Sequence, residues 1–149
     1  MKKPETTPSS WPLLQATAAV LTEKIERRLD EAQLPPLAWH DALSALERAP
    51  GQRLRMHELA EHLVLTRSNL SRLVERLAKA GLLRREADPD DRRGAFAVLT
   101  EQGGATRKKM APHYGKAIAQ FYDAQMSEDE QRVLNDALRK VLDAGRQPQ

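Results

Sequence analysis

The sequence predicts a mainly α protein with a small β-hairpin wing, a winged helix-turn-helix flanked by N- and C-terminal dimerisation helices. Three observations lead there. Residues 57–99 run helix, tight turn, helix, Gly, strand, charged tip, strand, the order of a unit that fits a helix into the major groove of duplex DNA. The long segments on either side repeat apolar residues at spacings of three and four, the mark of amphipathic helices. Aromatic residues make up only 4% of the 149 and charged residues 30%, which suits a helical protein built from Leu and Ala.

Residues 1–9 are polar and Pro-rich and read as a mobile arm. The spacing predicts a helix from Trp11 to Glu31, with Ser10 as its cap and Pro12 tolerable in the first turn. Trp11, Leu14, Ala18, Leu21 and Ile25 form a coiled-coil-like seam along it. Leu34-Pro35-Pro36-Leu37 breaks the chain, and a second helix spans Leu37 to Arg48 with Trp39, Leu43 and Leu46 inward. Ala49 to Gln52 is a turn. His57 to Leu63 forms the next helix, Val64-Leu65-Thr66 the tight turn, and Arg67 to Ala80 the helix after it. Gly81 suits a left-handed stop. Strands are expected at Leu82–Glu86 and Ala95–Leu99, with Ala87 to Gly94 between them. Thr100 caps a helix reaching towards Gln125, where Pro112 and Gly115 suggest a kink. Ser127-Glu128-Asp129-Glu130 is a capping box opening the last helix, which carries Val133, Leu134, Leu138, Val141 and Leu142. The organisation is thus an arm (1–9), an N-terminal dimerisation helix (10–34), a winged unit (35–99), C-terminal dimerisation helices (100–145) and a tail (146–149). The outer helices need burial that a winged unit does not supply. Interleaving with a second copy is the simplest solution, an enlarged monomer core the other.

The helix after the turn carries the functional signal. Leu70, Leu73, Val74 and Leu77 share one face, and Arg67, Ser68, Ser71, Arg72, Glu75, Arg76 and Lys79 lie opposite. Short polar groups near the N-terminus can reach base edges while cations and hydroxyls hold phosphates; a solvated surface face would look similar. Charge separates these readings. The net charge is only +3, but residues 66–85 hold six cations against Glu75 alone, so the positive field sits on the proposed DNA-reading element.

Other chemistries find little footing. The absence of cysteine removes disulfides and thiolate metal sites and suits the cytoplasm. No apolar run approaches a bilayer span, and Lys2-Lys3 is not followed by a signal-peptide core. His57-Glu58 with His62 mimics a zinc-protease motif one residue too long. The two histidines fall about 140° apart around a helix, so no metal is expected. No nucleophile elbow, phosphate loop or dinucleotide fingerprint occurs. The chain is not expected to be an enzyme or to carry a cofactor.

Leu59-Ala60-Glu61, Ser68-Asn69-Leu70-Ser71-Arg72-Leu73-Val74, Gly81-Leu82-Leu83, Arg85, Asp88-Pro89-Asp90-Asp91-Arg92-Arg93 and Leu99-Thr100-Glu101-Gln102-Gly103 together resemble the MarR family of bacterial transcriptional regulators. The resemblance extends from Trp11 to Leu142. It implies a homodimeric, triangular, mostly helical protein on a pseudo-palindromic operator of double-stranded DNA. Many such proteins repress nearby genes and release DNA on binding a small, often aromatic or phenolic, effector. By this resemblance the Arg67–Lys79 helix lies in the major groove with Arg67 among its DNA-binding residues, Ser68, Asn69, Ser71 and Arg72 face bases or adjacent phosphates, and Arg76 holds phosphate. Of the paired Arg92 and Arg93 in the wing, Arg93 enters the minor groove. Asp91 braces the wing through an ion pair with an arginine.

The same resemblance implies an effector cleft where the dimerising helices meet the winged unit. Trp11, Trp39 and His40, with His113 and Tyr114, are the candidates to line it; the simpler reading makes Trp39 a core residue and His40 its satisfied neighbour. His40 stands where urate-binding members have an acidic residue, which argues against urate, and thiol-based peroxide sensing is excluded. A regulator with no effector, or a winged protein-interaction module, remains the alternative.

Overall fold

A computed structural model describes residues 6–63 and 65–148. The first five residues of the expected arm, Val64 of the expected turn and Gln149 of the expected tail lie outside that range. Among the described residues six α-helices and one three-stranded antiparallel sheet follow one another: α1 (Trp11–Glu31), α2 (Leu37–Arg48), a 3-10 turn (Pro50–Gln52), β1 (Arg53–Arg55), α3 (Met56–Leu63), α4 (Arg67–Lys79), β2 (Leu83–Asp88), β3 (Asp91–Leu99), α5 (Glu101–Phe121), a second 3-10 turn (Asp123–Gln125) and α6 (Glu128–Arg146). The sheet order is β1-β3-β2. The larger core joins α2, α3, α4 and the sheet through Leu43, Leu46, Leu59, Leu70, Leu77 and Leu83. A smaller one joins α1 to α5 through Ile25, Leu29, Met110 and Ala117.

Local chemistry fixes the helix ends. Thr66 Oγ1 accepts the N–H of Asn69 at 3.3 Å and starts α4. At the other end Gly81, with φ +77°, donates to Ala78 O, and Leu82 donates to Leu77 O. These two bonds are a Schellman motif, and Leu77 and Leu82 supply its apolar contact in the larger core. The expected box at Ser127 and Glu130 opens α6.

Other ends depart from the sequence reading. Ser10 makes no side-chain cap on α1; the N–H of Trp11 donates to Ser9 Oγ instead. The helix closes on Gln33, which takes φ +58° so that Leu34 N–H reaches Leu29 O. No Gly marks this stop. α5 continues through Pro112 and ends at Phe121, short of Gln125. The wing strands extend further than expected, to Asp88 and from Asp91, leaving a two-residue tip, and β1 is a strand the sequence did not signal.

Most of α6 stands clear of the rest of the chain. No residue of it is buried, and Val133, Val141 and Leu142 are exposed along it. The first half of α1 likewise exposes Trp11, Leu13, Leu14 and Val20.

Candidate nucleic-acid interface

α4 sits on the core by Leu70, Leu73, Val74 and Leu77, all buried. That docking turns Arg67, Ser68, Asn69, Ser71, Arg72 and Arg76 to solvent. Arg92 and Arg93 are exposed at the wing tip. Between helix and wing lies a groove of about 390 Å³ whose walls include Arg67, Ser71, Arg85, Asp91 and Arg93. The structure therefore brings Arg67 and Ser71 of the helix and Asp91 and Arg93 of the wing to one groove, although they are twenty or more residues apart in sequence.

The pairing of the arginines is uneven. Arg53 and Arg84 both reach Glu86, at 3.9 and 3.0 Å, and Arg55 reaches Asp88 at 3.0 Å. Among the described residues Arg67, Arg72, Arg76, Arg85, Arg92 and Arg93 make no ion pair. Of the arginines lining the groove, Arg55 is paired with Asp88, whereas Arg67, Arg85 and Arg93 are uncompensated. Exposed, unpaired guanidinium groups on α4 and the wing are what a polyanion needs, because they can take phosphate without first breaking an internal bond.

The wing carboxylates sort by burial. Asp91 is exposed, and its Oδ1 accepts the backbone N–H of Arg93 at 3.0 Å. The arginine ion pair expected of Asp91 is made by Asp88 instead. Its side chain is only 3% exposed, and its Oδ1 accepts the N–H of Asp90 at 2.9 Å. Strand alternation puts Asp88 on the same face as Glu86, and there Arg55 meets it as Arg53 meets Glu86. The Asp90 N–H holds the Asp88 carboxyl below the usual aspartate range; burial opposes this shift and the Arg55 hydrogen bond adds to it. Any stability from this lowered value is present above the ordinary aspartate range and is lost only as pH falls through the lowered one. The pair is intact at neutral pH.

The effector candidates separate in space. His40 is buried and stacks on Tyr114 with centroids 4.3 Å apart, which joins α2 to α5. Its Nδ1 lies 3.3 Å from Asp41 Oδ1 and its Nε2 3.4 Å from Ser44 Oγ. Burial, then the Asp41 charge, push the Tyr114 hydroxyl pKa up against the opposing pull of Arg48. Further along the same seam Arg107 Nε stands 2.9 Å from Glu47 Oε2, an ion pair whose N–H is not aimed at the oxygen. Trp39 is half-buried against the larger core, and His113 is exposed. Trp11 is exposed at the start of α1, about five turns or ~27 Å along the axis from Leu29, where that helix meets α5. Within one chain α1 thus carries Trp11 away from the seam.

Arg55, Asp88 and Arg85 are the residues that sequence reasoning did not single out as site residues. A cation immediately before a helix, facing an Asp-rich tip 33 residues on, was the available signal.

Comparison with known proteins agrees with this geometry. A family model described as MarR family matches residues 32–94. The crystal structure of AbsC, a MarR family transcriptional regulator from Streptomyces coelicolor, is 30% identical with a TM-score of 0.84, over 98% of each chain. A second MarR family transcriptional regulator from Streptomyces coelicolor, solved in complex with DNA, is 35% identical with a TM-score of 0.83, over 93% of this chain and 89% of that one. YkoM of Bacillus subtilis, an uncharacterised HTH-type transcriptional regulator, is 31% identical over 87 residues, covering 58% of this chain and 56% of that protein. The chain therefore spans little more than half the length of that relative. With near-complete structural overlap at 30% identity or more, the chain belongs to the MarR family and carries its winged-helix fold.

Proposed function

We propose that the protein is a homodimeric, sequence-specific transcriptional repressor that binds duplex DNA through α4 and the wing and is released by a small, aromatic or phenolic ligand. The observation that carries DNA binding is the set of exposed, unpaired arginines on α4 and the wing, of which Arg67, Arg85 and Arg93 line one groove between them. The relative solved with DNA supports it. In this reading residues 35–99 form the reading unit. Ser68, Asn69, Ser71 and Arg72 lie against major-groove edges and adjacent phosphates, Arg67 and Arg92 add DNA contacts on the helix and the wing, Arg76 holds phosphate, and Arg93 enters the minor groove. A narrow minor groove concentrates negative potential and favours a planar cation.

Dimerisation is supported by the exposed apolar residues of α1 and α6, which a second copy would cover. A two-fold pair of reading units matches a pseudo-palindromic site with half-sites about one helical turn apart. The seam of His40 and Tyr114 between α2 and α5 is where a ligand near Trp39 and His40 could change the angle between reading unit and dimer. A coupling of ~1–3 kcal/mol would relieve repression several-fold or more.

The salt dependence of binding tests this reading. Affinity for a selected duplex should fall on the order of a thousandfold between about 50 and 200 mM salt. A flat response would instead mark a protein-interaction module. For the ligand, an aromatic acid that raises the melting temperature while lowering operator affinity is expected; failure of a broad set of such acids to do either would leave a constitutive DNA-binding regulator.

A further inference from the structure

We propose that Arg55 and Asp88 are positioning residues for the wing, setting where Arg93 stands relative to α4. The inference rests on the DNA-contact role assigned to Arg93 above. Asp88 is the only buried residue between positions 87 and 95. It holds the hairpin at the point where the strands leave the sheet body and become a tip exposed on all sides. Its Oδ2 accepts Arg55 Nε at 3.0 Å, and its Oδ1 accepts the Asp90 N–H, so both oxygens are used. Asp88 is also the register partner of Asp91, whose Oδ1 fixes the Arg93 N–H. A continuous set of contacts therefore runs from Arg55 through Asp88 and Asp91 to Arg93.

Arg55 is itself held at the other end. It immediately precedes α3, and its N–H donates to Glu58 Oε1 at 3.1 Å, the reaching-back half of a capping box. Its guanidinium also lies 4.9 Å from the centroid of buried Phe96 and 3.7 Å from Glu58. The pair thus ties the wing base to the first helix of the helix-turn-helix rather than to its own strand. A fork held by an aromatic face and two carboxylates is pre-organised in a way that a lysine ammonium is not.

The test is a double-mutant cycle on operator affinity with Arg93→Ala. Asp88→Asn keeps the shape and an acceptor for the Asp90 N–H while removing the charge. Arg55→Met keeps the stem over Phe96 and, being on the half-exposed side of the pair, is the variant to use should Asp88→Asn fail to fold. Each is expected to lower operator affinity about tenfold in the otherwise native dimer, with the dimer intact. In the Arg93→Ala background each should cost less than about twofold, and the salt slope of each single variant should shrink as it does in Arg93→Ala. Arg55→Lys should recover only part of the loss. Additive losses would show that the pair acts on general stability, and would overturn the proposal while leaving the Arg93 contact standing. An Arg93→Ala variant that binds operator normally would remove the DNA-contact reading itself, and the positioning role with it.

Discussion

Replacing Gly103 with alanine is expected to destabilise the protein by about 3 kcal/mol or more, because overpacking against a fixed backbone has no cheap relief. A Cβ at this position would lie 1.9 Å from the carbonyl oxygen of Leu82 and 2.8 Å from Leu99 Cδ1. The first turn of α5 cannot move away without breaking its own cap. Thr100 Oγ1 donates to Gly81 O at 2.7 Å and accepts the Gly103 N–H at 3.0 Å, while Thr100 N–H donates to Leu82 O. These bonds fasten α5 to the corner where α4 ends and the wing begins. They lie on the path between the reading unit and the helices proposed to dimerise. Gly104→Ala is the internal control. Its Cβ would meet Leu99 Cδ2 at an ordinary 3.9 Å, so the gain in helix propensity should make it neutral or stabilising by up to ~1 kcal/mol. Thermal melts of the two variants check this directly. At about 2–4 °C per kcal/mol for a chain of this size, Gly103→Ala should melt some 6 °C or more below the native protein. Equal melting temperatures for the two variants would mean that α5 does not pack on Leu82 as described.

Arg72→Ala and Arg93→Ala should each cost roughly 1–3 kcal/mol of operator binding, and together about the sum, since they contact different parts of the duplex. Both side chains are exposed and make no ion pair among the described residues. Their removal should therefore leave the melting temperature and the dimer unchanged. The two differ in kind. If Arg72 reads a base edge, its loss should flatten preference at one position of each half-site. The loss of Arg93 should weaken binding most on sites with a narrow minor groove beside the half-site. Competition binding with single-position operator variants separates these effects, and native affinity in both variants would remove α4 and the wing tip from the interface.

How far the sequence revealed this arrangement depended on whether the determining contact was local. α4 was legible because its apolar period, its Thr66 cap and its Gly81 stop all act within a few residues. The box at Ser127 is local in the same way. β1 was not legible because three residues cannot display a period, and its existence depends on pairing with Phe96–Val98 more than forty residues away. The wing strands were drawn too short because Asp and Gly at the tip read as loop, whereas cross-strand pairing carries the hairpin to Asp88 and Asp91. The same limit misassigned the ion pair. Asp88 and Asp91 each bond the backbone two residues on, so local sequence cannot distinguish them; the distant Arg55 does. The stop at Gln33 was invisible for a different reason, since a non-glycine residue took the left-handed turn under the pull of the Leu29 and Leu34 contact. Of the effector candidates, the His40 and Tyr114 stack joins helices that no sequence period connects.

The most direct test is to select genomic or random duplex fragments with the purified protein and map the protected bases on the winners. The expected result is a two-fold symmetric site with half-sites about 10 base pairs apart, centre to centre, and cleavage protection on one face. Hydroxyl-radical protection at the minor grooves beside the half-sites should disappear in Arg93→Ala. Enrichment of no common sequence, or protection that is uniform along the duplex and unaffected by Arg72→Ala and Arg93→Ala, would contradict the proposal that α4 and the wing read DNA.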